Sequence, residues 1–363
     1  MDIKIEYLIF YDLGSELSYE EIEGALEKIP RENVEEYSLD EEKETPDYIR
    51  YPEPVLFNPR PDFTRGDETY PVTGKIFKSG TLSLRVTVTL PDTSLDELNE
   101  FLAENRSLSE EIRHHCNEIH RQLKPHFPVD ISRQEFYHSG QSEVYPVFCL
   151  SSTDFEDTAR MVDQNSEEIT ALLNRRYRQR NFSGEQKEIT LNNRVRFYNN
   201  DCSIIHWNGS LLIDNQGQFS SVLFILELVN IQFLNLMVYD DYVDNFLSDY
   251  MGRIDRFLKV RLLLHVPGLR NRISEITRLR VEIDRITEML DNYEKYFGEW
   301  YLARIYTRAC DAFEMERWRE LLQSRLEKVT ELYSMLEEEV NRSRMLFLNV
   351  LTLMLFILWF VIG

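Results

Sequence analysis

Apolar and polar residues alternate along the first two hundred positions and step by three and four after that. DIKIEYLIF (2–10) is rich in β-formers and predicts a strand. In SYEEIEGALEKI, Ser18 precedes an acidic first turn and predicts a capped helix from Tyr19 to about Ile29. Residues 30–67 are proline-rich and charged around YPEPVLFNPRPD, and predict a long surface loop or an extended edge. TYPVTGKIFKSG and TLSLRVTVTL alternate around Ser79-Gly80 and predict a strand pair. A helical period runs from Ser94 to about Leu123, where Pro125 and Pro128 stop it. EVYPVFCL (143–150) predicts a strand. Asp154 to about Arg180 predicts one helix, with Leu172, Leu173 and Tyr177 on its apolar side. Residues 194–213 predict a hairpin with turns at Asn199-Asn200 and Asn208-Gly209. Residues 1–215 are thus expected to form an α+β region with an antiparallel or mixed sheet.

Beyond Gly217 the strand pattern stops. In 220–251, Leu226, Val229, Phe233, Leu236, Tyr239 and Val243 recur at helical steps. Its apolar start reaches the length of a membrane span, but Glu227, Asn230, Gln232 and Asn235 within it favour a buried amphipathic helix. Residues 253–266 read as helical and Pro267-Gly268 breaks the chain. Two heptad seams follow: Ile276, Leu279, Ile283, Ile286, Leu290, Tyr293 and Phe297, then Leu322, Leu326, Val329, Tyr333, Leu336 and Val340. Between them, Gly298 to Arg317 is aromatic, with Trp300, Tyr301, Tyr306 and Phe313, and Trp318 follows. The pattern predicts an antiparallel helical hairpin or coiled-coil bundle over 216–341, its seams paired within one chain or between chains.

The last stretch, MLFLNVLTLMLFILWFVIG (345–363), carries no charge. As a helix it extends ~28 Å, close to the ~30 Å of a hydrocarbon core. Arg342 and Arg344 stand before it, so residues 1–341 are expected on the cytoplasmic side of a single C-terminal anchor. Trp359 and Phe360 would lie at the far interface. Asn349 is its one strongly polar side chain, able to hydrogen-bond to a neighbouring helix or to reach headgroup water. The first residues lack the basic start and apolar core of a signal peptide.

Composition narrows the partners. With 41 Lys and Arg against 63 Asp and Glu, the net charge is −22, which argues against nucleic acid as a partner. The four cysteines, Cys116, Cys149, Cys202 and Cys310, lie far apart and are expected as free thiols in or near the core. Three groups are candidates for chemistry. His114, His115, Cys116 and His120, with His126 beyond, could start a zinc site or be ordinary surface and core histidines. Asp240, Asp241 and Asp244 could hold a cation or line a solvated helix edge. Arg175, Arg176, Arg178 and Arg180 could attract phosphate, or simply suit the dipole at a helix C-terminus. His206 and Trp207 have no accompanying nucleophile constellation. The sequence therefore assigns no catalytic, cofactor-binding or metal-ligating residue, and the expected protein is not an enzyme.

LELVNIQFLNLMVYDDYVDNFLSDY (226–250) with its Tyr239-Asp240 pair, the Tyr-Leu-Ala-Arg segment at 301–304, Trp318 opening a helix, and the terminal span together resemble a known family. It comprises the yeast "required for meiotic nuclear division" proteins and their mitochondrial and bacterial relatives, and the likeness covers roughly residues 196–363. It implies a membrane-anchored, oligomeric protein without an established enzymatic activity. A looser architectural similarity is to CorA-type magnesium transporters, from which this chain departs in lacking a second span and the Gly-Met-Asn signature. The expected function is thus a tail-anchored oligomeric scaffold or organiser, held in the bilayer through 345–363, self-associating, its acidic region open to protein partners. A CorA-like divalent-cation channel is the alternative.

Overall fold

The computed structural model describes residues 1–14, 17–36, 54–128, 144–152, 157–259, 281 and 300–362. The residues of the first heptad seam, the Pro267-Gly268 break and residues 37–53 of the expected loop lie outside the described residues. The described elements are mixed α and β. A sheet with packed helices fills the first part of the chain, and helices alone make up the C-terminal part.

In chain order the elements are β1 (Asp2–Asp12), α1 (Tyr19–Leu26), β2 (Arg31–Glu36), β3 (Val55–Pro59), β4 (Phe63–Arg65), β5 (Glu68–Tyr70), β6 (Val72–Phe77) and β7 (Thr81–Leu90). Then come α2 (Leu95–Glu104), α3 (Leu108–Leu123), β8 (Val144–Ser151), α4 (Thr158–Gln164), α5 (Ser166–Leu173) and α6 (Gly184–Leu191). Last are β9 (Arg194–Val195), β10 (Asp201–His206), β11 (Gly209–Asp214), α7 (Ser220–Lys259), α8 (Trp300–Ala312) and α9 (Met315–Ile362). Nine strands form one mixed sheet in the order β2-β3-β6-β7-β1-β8-β11-β10-β9. Its pairings are antiparallel except the parallel contact of β11 with β8, where Ser210 faces Val147.

β1 sits mid-sheet, and its side chains are buried on both faces from Ile5 onward. Its odd residues Ile3, Ile5, Tyr7, Ile9 and Tyr11 join the core formed with α1, α2, α3 and α5. α3 contributes Leu108, Ile112, Cys116, Ile119 and Leu123, a stripe of threes and fours along one side. α1 and α2 both begin with a capping box: Ser18 with Glu21, and Ser94 with Glu97. Each hydroxyl cap contributes about 1 kcal/mol by satisfying an otherwise orphaned N–H.

Three expectations change in the structure. The proline-rich stretch 30–67 is not simply a loop, since it carries β2, β3 and β4. Val55 and Phe57 alternate inward there, and Phe57 lies over Gly74 of the neighbouring strand. The single helix over 94–123 is two helices, and the one over 154–180 is two short helices ending at Leu173. The physical reason is shared. Asn105, Asn165 and Asn174 each sit at a helix end and donate their side-chain amide to the carbonyl four residues back, at 2.9, 2.7 and 2.9 Å. An amide that bonds its own backbone locally competes with helix continuation.

The chain divides into two compact units. The first holds the described residues through Asn235 together with α8. In it, α7 enters as a core helix: Val222 to Val229 are buried all round, the sign of a helix covered on every side. Lys75 of β6 and Glu227 of α7 form a buried ion pair, with Ser83 Oγ 3.3 Å from the same carboxylate. α8 packs beside them, with Tyr306 donating to Gln232 at 2.9 Å and Phe313 5.3 Å from Phe233. The second unit takes α7 from Leu236 and α9 from Arg317. Within it Leu322, Leu326 and Val329 of the second seam are buried.

Among the described residues, the stretch long and apolar enough to cross a membrane is Ser220–Asp241, and 72% of its apolar 18-residue window is buried inside the protein. Leu348–Phe360 is a shorter apolar run. Its large side chains and those of Met345 and Leu346 are 43–77% exposed, all around the helix.

Candidate functional site

The groups singled out in the sequence go separate ways. Cys116 is sealed in the core, His115 directs Nε2 to the Pro61 carbonyl at 3.1 Å, and His120 stacks on Tyr11 at 4.4 Å between ring centroids. Among the described residues, no three His, Cys, Asp or Glu side chains are placed to hold a metal. Asp240 and Asp244 both accept from Arg325, at 2.7 and 3.0 Å, so a guanidinium of the same unit meets this acidic pair. None of the four cysteines is in a disulfide; burial pushes the Cys116 and Cys202 thiols up to about 12, far from the thiolate that nucleophilic chemistry needs.

His120 and His206 are held neutral. Burial, helped by Lys124, pushes the first down to about 4. Burial takes the second to about 4 as well, against a hydrogen bond to the Leu173 carbonyl. His206 Nδ1 accepts from the Asn208 N–H at 3.3 Å, a role open only to the neutral ring. Between about pH 6.5 and 4 the unfolded chain takes up protons that the folded chain refuses, so stability falls as pH drops through that window. His120→Phe, which keeps the stack on Tyr11, is expected to flatten this fall. Melting temperature against pH checks it, and an unchanged slope refutes it.

The basic residues behave differently. α5 ends in a Schellman turn: Arg175 N–H reaches Leu172 O at 3.1 Å and Arg176 N–H reaches Ala171 O at 2.8 Å. Arg175 takes the left-handed position with φ 54°, a place usually given to glycine. The sequence placed these arginines in a last helical turn; they lie instead just past the helix end. The turn throws them across the start of β8. Arg175 Nη2 donates to Val144 O at 2.5 Å, and its Nε and Nη2 reach Asn208 O at 3.1 and 2.9 Å, tying β8 to the β10–β11 turn.

Beside this tie opens a cleft of about 530 Å³. Arg175, Arg176, Arg178 and Gln179 form one wall, and Asn105, Arg106 and Ser109 from the α2–α3 corner form the other. Tyr7 of β1, Leu102, Val144, Pro146 and Tyr177 make its floor. Among the described residues, no carboxylate lines it. Burial raises the Tyr7 and Tyr177 hydroxyls above their ordinary range, so both stay neutral donors. Arg180, the fourth arginine of the run, is turned away and pairs with Asp96 at 3.0 Å. The sequence offered the arginines but not Tyr7, Leu102 or Arg106. These come from elements 70 to 170 residues earlier, and only the fold order places them together.

One relative, "Uncharacterized protein MJ0711" of Methanocaldococcus jannaschii, is 23% identical over 203 residues, which cover 55% of this chain. The matched part spans 59% of that relative's own length. No solved structure matches. A family model described as "Uncharacterized protein MJ0711, N-terminal domain" matches residues 2–220. Because that match takes in every strand of the nine-stranded sheet and both walls of the cleft, the chain belongs to this family.

Proposed function

We propose that this protein is a membrane-anchored scaffold or organiser that self-associates. The observation that carries the reading is the exposed apolar run on α9, where Met345, Leu346 and the large apolar residues of Leu348–Phe360 face outward on all sides. An exposed patch of that extent belongs in lipid or in an interface, and a helix exposed all round is suited to lipid. The other apolar stretch, in α7, is already occupied by the protein's own core.

Two polar groups in the run fit the same reading. Thr352 Oγ1 donates to Leu348 O at 2.7 Å, satisfying its hydroxyl within the helix. Asn349 is left to bond a second copy, for ~0.6–2 kcal/mol per contact. The resemblance of 196–363 to membrane-anchored proteins agrees with it. Arg342 before the run favours placing residues 1–341 on the cytoplasmic side.

Membrane fractionation with carbonate extraction tests the anchor. The full chain is expected in the carbonate-resistant pellet, and a chain lacking 345–363 in the supernatant. A truncated protein that stays in the pellet overturns the assignment. Self-association is read from the mass of the detergent-solubilised full chain, and Asn349→Leu is expected to shift it toward monomer.

A further inference from the structure

We propose that the arginine-walled cleft binds a phosphate ester, its phosphate held among Arg106, Arg176 and Arg178 and its organic body resting on Tyr7, Tyr177 and Leu102. This goes beyond the anchoring reading and does not depend on it.

The charge pattern carries the argument. The chain has 22 more acidic than basic residues, and several of its other surface arginines are met by carboxylates: Arg65 by Glu111, Arg113 by Glu110, Arg121 by Glu118 and Arg180 by Asp96. Exposed arginines without such a partner among the described residues also occur singly, as at Arg160 and Arg304, but at the cleft three lie together. Among the described residues, no carboxylate pairs with Arg106, Arg176 or Arg178, although all three gather at one opening. Clustered like charges repel, so leaving them unpaired costs stability that a bound anion would recover.

Guanidinium groups suit this task because their planar fork bonds two phosphate oxygens at once. Three of them match a dianion better than a single carboxylate. The wall is also held in place, since the Schellman turn and the Arg175 tie fix the backbone from which Arg176 and Arg178 project. On the opposite wall Asn105 is locked by Arg65 at 2.6 Å and by its own bond to Phe101 O. A fixed backbone lowers the ordering cost of binding, leaving only the arginine side chains to be held by the ligand.

The floor sets what else the ligand carries. Tyr7, Tyr177 and Leu102 line the same cleft as the cations and add aromatic and apolar surface to it. A cleft of about 530 Å³ lies within the ~300–1,000 Å³ of small-molecule sites. It is too local a basic patch, in too acidic a chain, to follow a nucleic-acid backbone. A phosphate ester reaches such a site from two sources: a soluble nucleotide or a lipid headgroup.

Isothermal titration of the full chain in nonionic detergent at low salt distinguishes them, with AMP, glycerol 3-phosphate and inorganic phosphate as probes. One of the two esters is expected to bind saturably and at least tenfold tighter than inorganic phosphate. A preference for AMP assigns a nucleotide-like body to the tyrosine floor, and a preference for glycerol 3-phosphate assigns a headgroup. Arg176→Glu with Arg178→Glu, and separately Arg106→Glu, are expected to weaken binding at least tenfold. All three side chains are exposed and unbonded, so the melting temperature should hold. The proposal is overturned if neither ester binds, if inorganic phosphate binds as tightly, or if the charge reversals bind like the parent.

Discussion

Glu227→Leu is expected to destabilise the first unit by about 3–5 kcal/mol, because it removes the carboxylate paired with the buried Lys75 ammonium. Lys75 and Glu227 are 5% and 1% exposed and face each other between β6 and α7, with Ser83 completing the carboxylate's bonds. Lys75 also lies 5.3 Å from the Phe224 ring centroid, against apolar surface that water cannot reach. Burial already pushes the Lys75 ammonium below its ordinary range, while Glu227 works in the opposite direction. Removing Glu227 leaves burial without its main counterweight. The unfolded chain then holds the Lys75 proton up to about pH 10.5 while the folded chain releases it earlier. In that interval the unfolded state binds more protons, so the stability of Glu227→Leu should rise with pH. Lys75→Met with Glu227→Leu removes both charges and is expected to recover most of the loss. Denaturant midpoints of the parent, the single and the double variant check this, and a double variant as unstable as the single refutes it.

The same pair shows where the sequence stops being legible. Glu227 reads there as a polar interruption that argues against a membrane span, and the helix it interrupts is indeed buried. Its partner is 152 positions away on a strand, and no periodicity links them. The sheet was largely readable, since β1, β6, β7, β8, β10 and β11 each fall on an alternating or continuous apolar run. β3 was hidden by its flanking prolines, although Val55 and Phe57 alternate as an edge-side strand should. The helix breaks at Asn105, Asn165 and Asn174 were hidden by apolar periods that continue across them. An asparagine there reads as an ordinary polar position until its amide is seen to bond the carbonyl four residues back. The arginine run was visible, and two readings of it stood open. The left-handed turn at Arg175 decides its direction, and no residue type announces that turn when the position is not glycine.

The second large effect is expected at Gly209. There the sequence did announce a turn, and the structure adds a reason why the residue must be glycine. Gly209 has φ +156°, and a Cβ on it would lie 2.7 Å from the Pro146 carbonyl oxygen and 3.1 Å from Pro146 Cγ. The near atom is backbone of β8, held by the parallel pairing of Ser210 with Val147, so it cannot swing aside. Backbone strain of about 1–3 kcal/mol and overpacking of about 1–3 kcal/mol put Gly209→Ala at roughly 2–5 kcal/mol. Gly24 in α1 is the contrasting control. No atom lies within 4 Å of the place a methyl group would take there, so Gly24→Ala should stabilise by about 0.5–1 kcal/mol through the helix preference of alanine. Thermal denaturation of the two variants separates a steric requirement from a general sensitivity to losing glycine; equal effects would refute the steric account. The strain at Gly209 also has a functional reading. Pro146 is part of the cleft floor, and the Asn208 carbonyl beside Gly209 anchors Arg175. Pushing the β10–β11 turn away from β8 would therefore loosen the arginine wall as well as the sheet. Gly209→Ala should weaken ligand binding and lower the melting temperature together, whereas Arg176→Glu should do the first alone.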